Sequence, residues 1–96
     1  MRHIRWSTAA EADFDEIITF IAAANHVAAE KIEQLIEDRV DRLRDFPNLG
    51  RIGKPENTRE LLIIGTPYFA VYILDSDPLV LRILHGAQRW PPTDPE

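Results

Sequence analysis

Two apolar runs at helical spacing, followed by three nearly unbroken apolar runs of strand length, divide this chain. Ile4-Arg5-Trp6 reads as a short strand that leads into the first helical run. In that run Ala10, Phe14, Ile17, Ile18, Ile21 and Ala22 recur every three to four residues, while Glu11, Asp15, Glu16 and Thr19 fall elsewhere on the wheel. Thr8-Ala9-Ala10-Glu11 fits a capping box, and acids crowd the first turns, where the helix dipole favours them. Asn25-His26 interrupts the pattern, asparagine being suited to a helix end or a cap. A second run, Ala28, Ile32, Leu35, Ile36, Val40 and Leu43, extends to Phe46 and is stopped by Pro47-Asn48-Leu49-Gly50. So short a connection predicts an antiparallel helical hairpin.

Residues 51–57 read as a loop, with Gly50, Gly53 and Pro55 setting its course. Three extended segments follow: 60–64, closed by Gly65-Thr66-Pro67; 68–74, closed by Asp75-Ser76-Asp77-Pro78; and 79–84. Tight turns make such neighbours antiparallel. The predicted fold is α+β: a short N-terminal strand, an antiparallel two-helix hairpin, then three antiparallel strands forming a small sheet packed on the hairpin. The whole of 1–96 reads as one domain, and the proline-rich end from Pro91, 92–96 above all, as a frayed tail.

The strands barely alternate between apolar and polar. Leu61 with Leu62, Ile63 with Ile64, and Val71 with Tyr72 place apolar groups on both faces, yet one hairpin covers one face only. The second face, or a sheet edge, is expected to meet either the chain's own tail and loops or a separate polypeptide.

Composition narrows the classes. A 96-residue chain buries only about 60–65% of its unfolded surface, so it is marginal alone and gains from a partner. Without cysteine, disulfides and thiolate zinc sites are excluded, and no histidine has a second ligand at metal spacing; no cofactor or metal is expected. There is no apolar run of bilayer length and no signal-type segment, which makes the cytoplasm the expected compartment. The net charge is −5, and the imbalance lies early: eight acids against three bases up to Asp38, then eight of each. Direct binding of free DNA or RNA is therefore not expected. Arg39, Arg42 and Arg44 interleave with Asp38, Asp41 and Asp45 as a solvated mixed-charge face.

Candidate chemistry gathers where the last strand ends, at Leu84-His85-Gly86-Ala87-Gln88-Arg89-Trp90-Pro91. Groups there are held firmly and still reach solvent. His85 and Arg89, with Arg82 further back on the strand, are the candidate catalytic set for a phosphate-directed reaction. Each also has a structural reading: His85 bonded to backbone or to a helix acid, Arg89 paired with an acid of the first helix. Trp90 reads as a lid over the sheet. Tyr68 and Tyr72 share one strand face, as core residues with a wet hydroxyl or as contacts. Arg59 and Glu60 read as an ion pair or a loop anchor, and Arg51 as another anchor.

Trp6 with Ala10 and Asp13, Phe46-Pro47-Asn48-Leu49-Gly50-Arg51-Ile52-Gly53, Thr58-Arg59-Glu60-Leu61, Pro67-Tyr68 with Val71-Tyr72, and His85-Gly86-Ala87-Gln88-Arg89-Trp90-Pro91 together form a recognisable order. In it the chain resembles the RelE/ParE superfamily of bacterial toxins from type II toxin–antitoxin pairs, of plasmid-stabilisation type. The resemblance implies a toxin neutralised by a cognate antitoxin, with Trp90, Tyr68, Tyr72 and Leu62 as partner-binding residues. RelE-like members cut messenger RNA on the ribosome, and ParE-like members poison DNA gyrase. The RelE-like pattern places lysines on the second strand and an arginine after the tyrosine of the third. Here those positions hold Glu60, Leu62 and Phe69, which cannot stabilise a pentavalent phosphate. The preferred reading is accordingly a ParE-like gyrase inhibitor. The alternatives are a ribosome-dependent endoribonuclease using His85, Arg89 and Arg82, and a non-toxic assembly subunit.

Overall fold

The structure, a computed structural model, describes residues 3–86. Its elements run β1 (Arg5–Trp6), α1 (Thr8–Ala24), α2 (His26–Asp41), a 3-10 turn (Arg42–Arg44), β2 (Arg51–Ile52), β3 (Thr58–Leu62), β4 (Tyr68–Leu74) and β5 (Pro78–His85). The strands make one sheet in the order β1-β5-β4-β3-β2. The α+β architecture is as the sequence predicts, but the sheet is mixed, because β1 runs parallel to β5 with Arg5 beside Leu79 and Trp6 beside Val80.

The cap of the first helix lies one residue before the predicted one. Ser7 is the N-cap: its Oγ accepts from the Ala10 N–H at 3.0 Å and donates to the Leu81 carbonyl at 2.8 Å. Thr8 is already helical, so the expected Thr8–Glu11 capping box does not form. Asn25 closes one helix and opens the next. Its backbone N–H reaches the Ile21 carbonyl at 2.8 Å, and its Oδ1 accepts from the Ala28 N–H at 3.0 Å. The second helix gives way to the 3-10 turn after Asp41 and does not reach Phe46.

Two strand boundaries also differ from expectation. Residues 51–52, read as loop, pair with Arg59 and Glu60. The next strand ends at Leu62, because Ile63 begins a reversal in which the Thr66 N–H reaches the Ile63 carbonyl at 3.1 Å. Gly65 has φ of +86° there, a backbone conformation suited to glycine at the third position of a tight turn.

The core lies between hairpin and sheet. Ile36, Val40 and Leu43 meet Leu61, Ile63, Ala70, Tyr72, Val80 and Ile83, with Trp6, Phe14, Ile32 and Leu35 partly buried against them. Trp6 stacks on Phe14 with ring centroids 5.4 Å apart. The opposite face holds a smaller cluster of Phe69, Val71 and Leu84. Val71 is 0% exposed, so the centre of that face is covered. What stays open is at its margin: Leu62, the register partner of Phe69, is 49% exposed.

Candidate functional site

β4 and β5 bring Tyr68 and His85 side by side as register partners, with rings 5.5 Å apart and nearly perpendicular at 87°. The following turn is tied by the Gly86 N–H to the Pro67 carbonyl at 2.6 Å. Tyr68 is half-buried against the core and His85 is exposed. The two therefore share a strand end with access to solvent. Arg89 and Trp90 lie outside the described residues.

Arg82 is committed elsewhere. Its Nε and Nη2 donate to the two carboxylate oxygens of Asp13 at 2.7 and 3.0 Å. The hydrogen bond to Asp13 raises the guanidinium pKa further, opposed by desolvation and aided by the charges of Asp13 and Glu16. The same carboxylate accepts the Ile83 N–H at 3.0 Å. β1 is only two residues long and pairs β5 at Leu79 and Val80. Beyond that point the edge of β5 would be bare, and α1 satisfies it with Ser7 on the Leu81 carbonyl and Asp13 on the Ile83 amide. Sequence reasoning missed this use of Asp13. Its one visible signal, an acid early in an amphipathic helix, is equally that of a solvated face.

Tyr72 is enclosed, contrary to its expected part in partner contact. The side chain is 0% exposed, and its hydroxyl donates to the Pro47 carbonyl at 2.8 Å while accepting the Gly50 N–H at 2.9 Å. Burial raises the phenol pKa, with the Gly50 hydrogen bond and the charge of Arg59 acting against it. A Cβ at Gly50 would lie 2.6 Å from Tyr72 Cε1, so only glycine admits this approach. The segment is held from a second side by Arg59, whose Nη1 donates to the Gly50 carbonyl at 2.8 Å. Arg51 and Glu60 pair at 2.9 Å. The anchoring expected of Arg51, Arg59 and Glu60 is thus present, with Arg51 rather than Arg59 as the partner of Glu60.

The three positions at which metal-free RNA cleavage would want cations are now explicit. Glu60 is an acid in an ion pair, Leu62 is an exposed apolar group whose carbonyl accepts from Arg39 Nε at 3.0 Å, and Phe69 is buried. None supplies positive charge to a developing phosphorane. No helix among the described residues is long and apolar enough to cross a membrane.

Comparison with known proteins places this geometry. The candidate toxin Y4kP of Sinorhizobium fredii is 34% identical over 90 residues, covering 94% of each chain. A chain from the chromosomal ParDE toxin–antitoxin system of P. aeruginosa superposes with a TM-score of 0.79 at 25% identity, covering 88% of this chain and 96% of that one. The conserved hypothetical protein HP0894 from Helicobacter pylori shares the fold, with a TM-score of 0.57 at 17% identity over 92% and 98% of the two chains. Residues 4–90 match the family of ParE toxins of type II toxin–antitoxin systems, parDE, and the chain belongs to that family.

Proposed function

We propose that this ParE-family toxin disables DNA gyrase by binding it, in the bacterial cytoplasm, and is held inactive by a cognate antitoxin. The observation that carries the choice is the state of its cations. Arg82, the described arginine of the candidate catalytic set, is neutralised by a two-pronged bond to Asp13, and Glu60, Leu62 and Phe69 stand where an RNA-cleaving relative needs positive charge. A surface without free cations at those positions is suited to protein contact. Leu62 and Tyr68 are then the described contact residues, and His85 does no proton transfer.

Induction in a bacterial host tests this. The expected outcome is filamentation and DNA damage while translation continues, and accumulation of gyrase-linked DNA breaks when purified toxin is added to gyrase and plasmid. His85→Ala should keep most of the toxicity. Immediate arrest of protein synthesis with intact DNA, and cleavage of ribosome-bound messages, would instead establish the ribonuclease reading. Arg89→Ala should then lose about 2–4 kcal/mol of transition-state stabilisation.

A further inference from the structure

Three large apolar side chains, Phe46, Leu49 and Ile52, are exposed on the short segment that joins the helical hairpin to the sheet, Ile52 by 79%. The backbone that carries them is tied at several points. The Phe46 carbonyl accepts the Leu49 N–H at 3.0 Å, and the Pro47 carbonyl accepts the Tyr72 hydroxyl at 2.8 Å. Arg59 Nη1 donates to the carbonyls of Asn48 at 3.3 Å and Gly50 at 2.8 Å. Arg42 stands over the Phe46 ring, 5.1 Å from its centroid, and the Gly53 N–H reaches the Thr58 carbonyl at 2.8 Å. Water would satisfy the carbonyls of an exposed loop nearly as well, so ties from a buried tyrosine and an arginine serve to fix its shape. Those ties do not explain the apolar side chains outside them, each of which is unfavourable in water.

We propose that the 46–52 segment is the toxin's contact with gyrase, with Phe46, Leu49 and Ile52 as apolar anchors in a recess of the enzyme and Tyr72 and Arg59 as positioning residues that hold them ready. The proposal rests on the gyrase reading; what it adds is the surface and the residues that shape it. Rigidity selects the occupant. A partner that folds as it binds adapts to the surface it meets and gains little from a loop set in advance. A folded enzyme presents a fixed recess, and anchors already in place enter it with little further loss of chain entropy. A second copy of this chain, at a net charge of −5, would be repelled. Charges beside the anchors are neutralised, Arg51 by Glu60 and Arg44 by Asp41, as suits the apolar centre of an interface. The same edge of the sheet continues the surface, since β2 carries Ile52 and pairs with β3, which ends at exposed Leu62.

The test uses the full chain with purified gyrase and plasmid, and reads the toxin concentration that gives half-maximal gyrase-linked DNA breaks. Leu49→Ser with Ile52→Ser should raise that concentration roughly tenfold or more. Phe20→Ser with Val27→Ser, which removes comparable apolar surface at the bend of the hairpin, should leave it unchanged. Tyr72→Phe keeps the ring in the core and removes its bonds to Pro47 and Gly50. It should raise the half-maximal concentration several-fold, leave the maximal extent of breaks at the native level, and quicken amide exchange at Leu49 and Gly50. Each variant is assayed at a temperature where circular dichroism shows it fully folded, so a merely structural role for Tyr72 would leave the titration where it was. Breaks that ignore the loop variants, or that fall equally with the bend variant, would overturn the proposal and leave the gyrase reading intact. Loss of antitoxin capture by Leu49→Ser with Ile52→Ser, at undiminished breaks, would give the loop to the antitoxin instead. Absence of breaks with the unchanged chain would remove the gyrase reading, and the proposal with it.

Discussion

In the sheet, Ala70, Val71, Tyr72 and Val80 are completely enclosed, and the loop at 47–50 is tied by Tyr72 and Arg59. The helical hairpin is built on the opposite plan. Over both helices only Ala10, Ala29, Ile36 and Val40 are buried, and near the bend Phe20 is 79% exposed and Val27 76%. Polar groups are bonded in both regions, Asp13 and Glu60 by arginines at the sheet and Asp38 and Asp41 by Gln34 and Arg44 on the second helix and its end. The difference teaches where free energy has already been gained and where it is still to be gained. Enclosed groups stabilise the fold already, and exposed apolar groups such as Phe20 and Val27 hold stabilisation that only further burial would release.

Truncation sets the two regions furthest apart. Leu61→Ala, at a fully buried site of the sheet, should cost about 2–5 kcal/mol in a urea titration, enough to unfold a marginal domain. Phe20→Ala should move the same curve by less than about 0.5 kcal/mol. Similar losses at the two sites would show that the bend of the hairpin is packed in solution, and would erase the contrast.

A smaller effect is expected at the seam between the regions. Asp13→Ala removes the bond to Arg82 and leaves the Ile83 N–H without its acceptor, a loss of about 1.5–3 kcal/mol. Amide exchange at Ile83 should quicken more than at Ala70, which is held between strands. Exchange that changes equally at both would mean that Asp13 acts on the whole fold and does not guard one edge.

A more modest loss than at the seam falls inside the closed region. Tyr72→Phe should cost about 1–2 kcal/mol through the lost bonds to Pro47 and Gly50. The folded-state phenol pKa lies above its ordinary value of 10.0, so between those two values the folded chain holds more protons than the unfolded one. The stabilisation is thus complete below about pH 10 and declines as pH rises through the raised value. Urea midpoints measured on both proteins from neutral to alkaline pH should show that decline in the native chain and a shallower one in Tyr72→Phe.

What could be read beforehand follows from the range of the interaction involved. The helical runs announce themselves by period, and Asn25 by its position between them. β4 was legible to the residue because Pro67 and the Asp75-Ser76-Asp77 turn bracket it. Ile63 and Ile64 were misread as strand since their apolar character is that of a strand, while the reversal is imposed by Gly65 two residues on. The parallel pairing of β1 with β5 had no local signature at all, since it joins residues 74 apart. The candidate site divides similarly. Tyr68 and His85 meet as strand neighbours should, but nothing local foretold that Tyr72 would spend its hydroxyl on a loop or that Asp13 would claim Arg82.

The seam between α1 and β5 also has a temporal side. Ser7 waits for Leu81, and Asp13 for Arg82 and Ile83, across 74, 69 and 70 positions of sequence. A ribosome adding roughly 5–20 residues per second therefore makes the helix several seconds before the strand it must guard. During that interval the hairpin can form from its own short-range bonds, but the sheet lacks its second strand in spatial order and the helix its anchor. Completion of the fold is tied to delivery of the β5 segment, so a nascent chain stalled before Pro78 holds a hairpin and part of a sheet, with no closed seam between them.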